Sequence, residues 1–147
     1  MKIAVGFDHG GIVLRETVIR TLKSLGHEVV DFGTDSEASV DYPDYAEKVA
    51  RAVVSGECDR GFLACGTGLG MSIAANKIPG CYAARVTDCY SAKMAAEHNG
   101  ANVLCTGGRV VGTDMAAMLV ETYLSAVVDH APRHQRRREK VMSLEKT

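Results

Sequence analysis

One stretch constrains this chain more than any other. It runs Gly61-Phe62-Leu63-Ala64-Cys65-Gly66-Thr67-Gly68-Leu69-Gly70-Met71 and continues from Ser72 to Lys77. It opens as a short apolar run of the kind that fills a buried parallel strand. It breaks into three glycines at alternate positions and resumes, from Met71 to Lys77, as helix. Strand, glycine loop and helix in succession make half of a βαβ unit. Glycines let backbone N–H groups converge on one point and let a ligand approach closely. The helix N-terminus adds its dipole to those N–H groups. The expected product is a pocket for negative charge with Cys65 at its lip. A thiol so placed can act as base or nucleophile. The bland alternative is a small hydrophobe that ends a buried strand.

Three familiar glycine loops fit poorly. A dinucleotide fingerprint uses Gly66 and Gly68 but puts its third glycine on Met71. A phosphatase loop of the form C-x5-R needs Arg at that same Met71. A Walker loop needs a Lys that does not follow here. An anion hole beside a base remains, and that pairing suits proton abstraction next to a carbonyl, where an enediolate must be stabilised.

The 147 residues suit one domain with a sizeable core. A net charge of -1 argues against nucleic acid or an acidic membrane as partner. The five cysteines show no CxxC spacing, so they read as reduced thiols of a cytoplasmic protein, with neither a disulfide frame nor a zinc site. Met1-Lys2 leads straight into a strand with no signal-peptide pattern, and no apolar run is long enough to span a membrane.

Read in order, strands are expected at 2–7, 27–32, 61–64, 81–86 and 102–106. Helices are expected at 12–25, from Pro43 to near Gly56, and at 71–77, 88–98 and 113–128. Residues 130–147 read as a basic tail, helical in its middle. Strand and helix alternate five times. This predicts a three-layer α/β/α Rossmann-like fold on a five-stranded parallel sheet, all of 1–147 forming one domain. Ligands in such folds bind beyond the carboxyl ends of the strands, where strand order reverses. If the first and third strands meet there, Asp8-His9 and Cys65-Gly66-Thr67 share one crevice.

Other groups take their meaning from that crevice. Asp8 can orient a hydroxyl, and His9 can bind a hydroxyl or a phosphate; alone they would read as an ordinary turn. Asp41-Tyr42-Pro43 reads as a helix start, with Tyr42 a candidate lining residue. His98-Asn99-Gly100 has the chemistry of a helix C-terminus. Arg109, after Gly107-Gly108, suits an anion clamp or plain surface. Arg133 and Arg137 are four apart, so in a helix they share a face and can fork onto a phosphate. A nucleic-acid arm would want interleaved aromatics, which the tail lacks.

Taken together, Asp8-His9, Asp41-Tyr42-Pro43, Cys65 to Gly70, Ser72 to Lys77, His98-Asn99 and Gly108-Arg109-Val110-Val111-Gly112 resemble the type B ribose-5-phosphate isomerases and their galactose-6-phosphate isomerase relatives. The resemblance covers nearly the whole chain. It implies an aldose–ketose isomerase of sugar phosphates, without metal or cofactor. Cys65 would move a proton between C2 and C1. Thr67 and the backbone of Gly66, Gly68, Leu69 and Gly70 would hold the enediolate, and His98 would help open the furanose ring. Asp8, His9 and Asn99 would bind sugar or phosphate, and Arg109, Arg133 and Arg137 phosphate. Some members replace the Cys with a Glu further along the loop; here Cys65 is present and Met71 stands nearby. The residues do not count the sugar's carbons. Galactose 6-phosphate, allose 6-phosphate and tetrose phosphates stay open as substrates, and so does a non-catalytic phosphate- or nucleotide-binding module.

Topology and resemblance pull His98 in two directions. It closes a helix of about 11 residues that runs some 16 Å back from the ligand rim. The resemblance nevertheless puts it in the active site. Both hold if His98 and Asn99 come from a second subunit, which predicts a homodimer or dimer of dimers with shared sites.

Overall fold

The computed structural model describes residues 1–145; positions 146 and 147, the last two of the expected tail, lie outside the described residues. The strands are β1 (Lys2–Phe7), β2 (Glu28–Asp31), β3 (Arg60–Cys65), β4 (Ala83–Arg85) and β5 (Val103–Gly107). All pair in parallel, in the order β2-β1-β3-β5-β4. The helices are α1 (Arg15–Ser24), α2 (Tyr42–Val54), α3 (Leu69–Ala75), α4 (Cys89–Glu97), α5 (Thr113–Ser125) and α6 (Pro132–Met142).

Alternate residues of each strand face opposite layers. Ile3, Val5, Phe7, Phe62, Ala64 and Leu104 pack against Leu14, Val18 and Leu22 around α1, Ala92 and Ala95 of α4, and Leu119 and Tyr123 of α5. Ala4, Leu63, Cys65, Val103 and Cys105 pack against Ala46, Val49 and Ala50 of α2 and Met71 and Ala75 of α3. Helices therefore cover both faces, as the alternation predicts. Each fully buried Leu, Val or Phe contributes about 1.5–3 kcal/mol, so the two apolar layers, not helix propensity, fix the sheet.

Several boundaries differ from expectation for local reasons. The first helix begins with a 3₁₀ turn at Ile12–Leu14, because the Asp8 carbonyl and carboxylate already hold Gly11 and Ile12 in a tight turn. The third helix starts at Leu69, two residues early. Gly68 serves as its left-handed cap at φ 82°, so the glycine run enters the first turn. Only three residues of the expected 81–86 run form strand. Asn102 accepts from the Tyr82 N–H, while the Asn76 amide both accepts from and donates to the backbone of Ala83. These side chains stand in for the neighbour that an edge strand lacks. The fifth helix stops at Ser125, where Ala126 turns extended.

Candidate active site

β1 and β3 are neighbours, and β2 lies on the far side of β1. The strand order thus reverses between them, and the loops after both strands open onto one crevice. Asp8 is 5% exposed, and its Oδ1 accepts from the N–H groups of Gly10 (2.8 Å) and Gly11 (3.0 Å). One carboxylate oxygen is thereby committed to the turn. Gly11 must be glycine: a Cβ there would collide with the Ala64 carbonyl. The His9 Nδ1 accepts from the Val40 N–H at 3.2 Å, which leaves its Nε2–H as the outward donor.

Cys65 ends β3. The sulfur does not sit at the lip of the pocket, as expected, but beneath the glycine loop, with the residue only 5% exposed. It accepts from the Gly68 N–H at 3.0 Å. Gly68 reaches that position through its left-handed φ, and a Cβ there would lie 2.8 Å from the Thr106 carbonyl carbon. The exposed Thr67 accepts on Oγ1 from the Leu69 N–H at 3.2 Å. Among the described residues, the N–H groups of Gly66 and Thr67 meet no acceptor. The loop therefore presents open donors beside a sulfur, an arrangement able to hold an oxyanion while a base works next to it.

The elements around the loop brace it. Gly108 and Arg109 donate their N–H groups to the carbonyls of Cys65 (2.8 Å) and Gly66 (3.0 Å). The Arg109 guanidinium lies over Gly66, and the Tyr42 ring packs on Gly70, so tightly that a Cβ on either glycine would crowd it. From the edge strand, Arg85 Nε donates to the Thr67 carbonyl at 2.9 Å. Asp8, His9, Tyr42, Cys65, Gly66, Thr67, Gly68, Leu69, Gly70 and Arg109 thus share one rim.

The other named residues gather elsewhere. β5 climbs from Val103, level with Gly61, to Gly107, level with Cys65. The two levels are roughly 13 Å apart at strand rise. His98 caps α4 at the lower level. Its ring stacks on that of His134, centroids 4.0 Å apart and planes 15° off parallel. Arg138 donates to the carbonyls of His98 and Asp129, both at 2.9 Å, which fastens α6 to the end of α4. His98, Asn99, His134 and Arg137 line a cavity of about 840 Å³. Arg133 lies one turn before Arg137 on α6, so the expected helix is present. Asp129 is held below the usual carboxylate range by the Ala131 N–H. Burial first, then the charges of His98 and Arg133, hold His134 below its ordinary value. His98, Asp129 and His134 bring metal-type ligand atoms within 4.8 Å of one another. Arg133, Arg137 and Arg138 stand close by, so the local field favours an anion over a cation.

Sequence reasoning missed Arg85 and His134. Arg85 hides in the apolar run Ala83-Ala84-Arg85-Val86, and its signal was position: a cation at the carboxyl end of a strand. His134 sits in a charge run that reads as solvated, but it is 8% exposed.

A model of the family described as Ribose/Galactose Isomerase matches residues 3–141. Ribose-5-phosphate isomerase B of Escherichia coli (strain K12) is 46% identical over 144 residues, spanning 98% of this chain and 96% of that protein. The solved ribose-5-phosphate isomerase B of Clostridium thermocellum superposes with a TM-score of 0.95 at 54% identity, covering 99% of this chain and 97% of its own. The Mycoplasma genitalium ribose-5-phosphate isomerase B, solved with bound ribulose-5-phosphate, gives 0.92 at 38% identity, covering 98% and 95%. No helix among the described residues is long and apolar enough to cross a membrane.

Proposed function

This chain belongs to the Ribose/Galactose Isomerase family, and from that premise we propose that it interconverts ribose 5-phosphate and ribulose 5-phosphate with Cys65 as the base. The observation that carries this reading is the Cys65 sulfur held under a loop whose Gly68 N–H faces it and whose Gly66 and Thr67 N–H groups are open. On the open-chain aldose, the sulfur takes the C2 proton; the C2–H bond breaks and an S–H bond forms. The freed pair becomes the C1=C2 bond of an enediolate, and the carbonyl pair moves onto O1. The loop N–H groups hold that oxygen. The O2 proton then passes to O1, C2=O forms, and the S–H proton returns to C1.

His98 and Asn99 act from a second copy of the chain. Three things support this: their distance from Cys65 along the sheet, the family resemblance, and an apolar patch beside the loop. Leu69 and Ile73, four apart on α3, are 52% and 62% exposed. Such a stripe beside a polar pocket suits burial against another subunit. His98 there helps open the furanose ring. Arg109, Arg133 and Arg137, with His9, take the phosphate, whose binding positions the reacting carbons. The chain works as one domain in the cytoplasm, with α6 as its phosphate arm.

Turnover across a panel of sugar phosphates tests the substrate. Ribose 5-phosphate is expected to give the highest kcat/KM. A higher value for galactose 6-phosphate, allose 6-phosphate or a tetrose phosphate would reassign it. No turnover of any, with phosphate still bound, would return the chain to a binding module.

A second prediction concerns the tail. Arg137→Ala is expected to weaken binding of inorganic phosphate about tenfold, the effect of losing one charge-assisted contact. Arg133→Ala should do so less, because Arg137 lines the cavity and Arg133 is not among its lining residues. Calorimetry with wild type and both variants reads it; equal affinities would make the tail a solvated face.

A further inference from the structure

Arg85 closes β4, an edge strand, where a charged residue ordinarily serves to discourage pairing with another chain. Its side chain does something more specific. It places Nε 2.9 Å from the Thr67 carbonyl oxygen, in the loop that follows β3. No carboxylate lies within ion-pair distance of its guanidinium among the described residues. The cation is therefore spent on a backbone carbonyl in the centre of the glycine loop.

That carbonyl has a particular partner. Thr67 C=O and Gly68 N–H belong to one peptide unit, planar and conjugated. The same Gly68 N–H faces the Cys65 sulfur at 3.0 Å. A cation on the oxygen draws density out of the amide and strengthens its N–H as a donor, since linked hydrogen bonds polarise one another. The sequence of contacts is thus guanidinium, Thr67 oxygen, Gly68 N–H and Cys65 sulfur. It also fixes the plane of a peptide that, beside a glycine, would otherwise be free to rotate.

We propose that Arg85 is a positioning residue for the reaction, acting on the Cys65 sulfur through the Thr67–Gly68 peptide. It stabilises negative charge on the sulfur and keeps the Gly68 N–H aimed at it. This rests on the reading of Cys65 as the base. It adds a residue from the edge of the sheet that touches neither sugar nor phosphate.

Three variants in the full-length protein test it: Arg85→Ala, Arg85→Lys and Cys65→Ala. One readout is the rate at which iodoacetamide alkylates the peptide bearing Cys65, followed by mass spectrometry, which needs no turnover. The other is steady-state isomerisation. Arg85→Ala is expected to slow Cys65 alkylation and to lower kcat, each about tenfold, the size expected for one polarised hydrogen bond. KM should stay within about twofold and the melting temperature should not move. Arg85→Lys should restore most of both rates, since it keeps a cation and a donor. Unchanged alkylation and kcat in Arg85→Ala would overturn the proposal. So would a raised KM at constant kcat, which would make Arg85 a substrate contact. Equal losses in Ala and Lys variants with a lowered melting temperature would reduce it to a scaffold residue. Should Cys65→Ala retain turnover, the reading of the base fails, while the alkylation rates still decide the link between Arg85 and the sulfur.

Discussion

Replacing Cys65 with alanine is expected to lower turnover about a thousandfold or more, within the range that a positioned general base supplies. Binding of the sugar phosphate should stay within a few fold, because its affinity resides in the phosphate contacts. The other candidate bases of the rim are already engaged in hydrogen bonds. Asp8 Oδ1 already accepts two backbone N–H groups. The His9 Nδ1 is occupied by Val40. The remaining loop residues are Gly, Thr and Leu, none of which is a base near neutral pH. The neighbouring thiols are no better placed. Burial pushes the Cys81 thiol up to about 12 and the Cys105 thiol well above its ordinary value. They share the apolar layer of Cys65, but Cys105 lies within β5 and Cys81 just before β4, whereas Cys65 alone of the three ends its strand under the glycine loop. The direct reading is proton exchange at C2 of ribose 5-phosphate in deuterated water, which should vanish with the thiol. A variant that kept most of its turnover and exchange would make Cys65 a packing residue and leave the reaction without its base.

The sequence made much of this site legible because its logic is local. Alternate glycines after an apolar run can hardly do anything but turn backbone donors toward one point. The run of strand, loop and helix also fixes which end of the sheet the loop occupies. The same directional rule puts His98 at the opposite end, and the register of β3 and β5 agrees with it. What stayed hidden depends on contacts between distant segments. β5 lies between β3 and β4, an order no local pattern records. The reach of Arg85 to Thr67, 18 residues away in sequence, is a consequence of that order. His134 is concealed for the same reason. Among arginines it reads as solvated, yet its ring stacks on His98 and the residue is 8% exposed. The burial of Cys65 is not legible either, since alternate glycines alone suggest a thiol at the lip. In the fold, Gly68 swings over the sulfur and covers it. The early start of α3 has the same cause, since the left-handed Gly68 is itself the cap.

The proposed site joins Cys65 of one chain to His98 of a second copy, and mixing two inactive proteins tests that pairing directly. Cys65→Ala and His98→Ala are each expected to be nearly silent alone. After mild dissociation and random reassociation, half the dimers pair one of each kind. In those dimers one site carries both defects and the other carries neither. About a quarter of the wild-type activity should therefore return, the share of intact sites in a two-fold assembly. The recovered activity should appear only under conditions that exchange subunits, which mass labels on one variant can verify. A mixture that exchanges subunits fully and regains no activity would mean that each site is built within a single chain, and the shared site would be wrong.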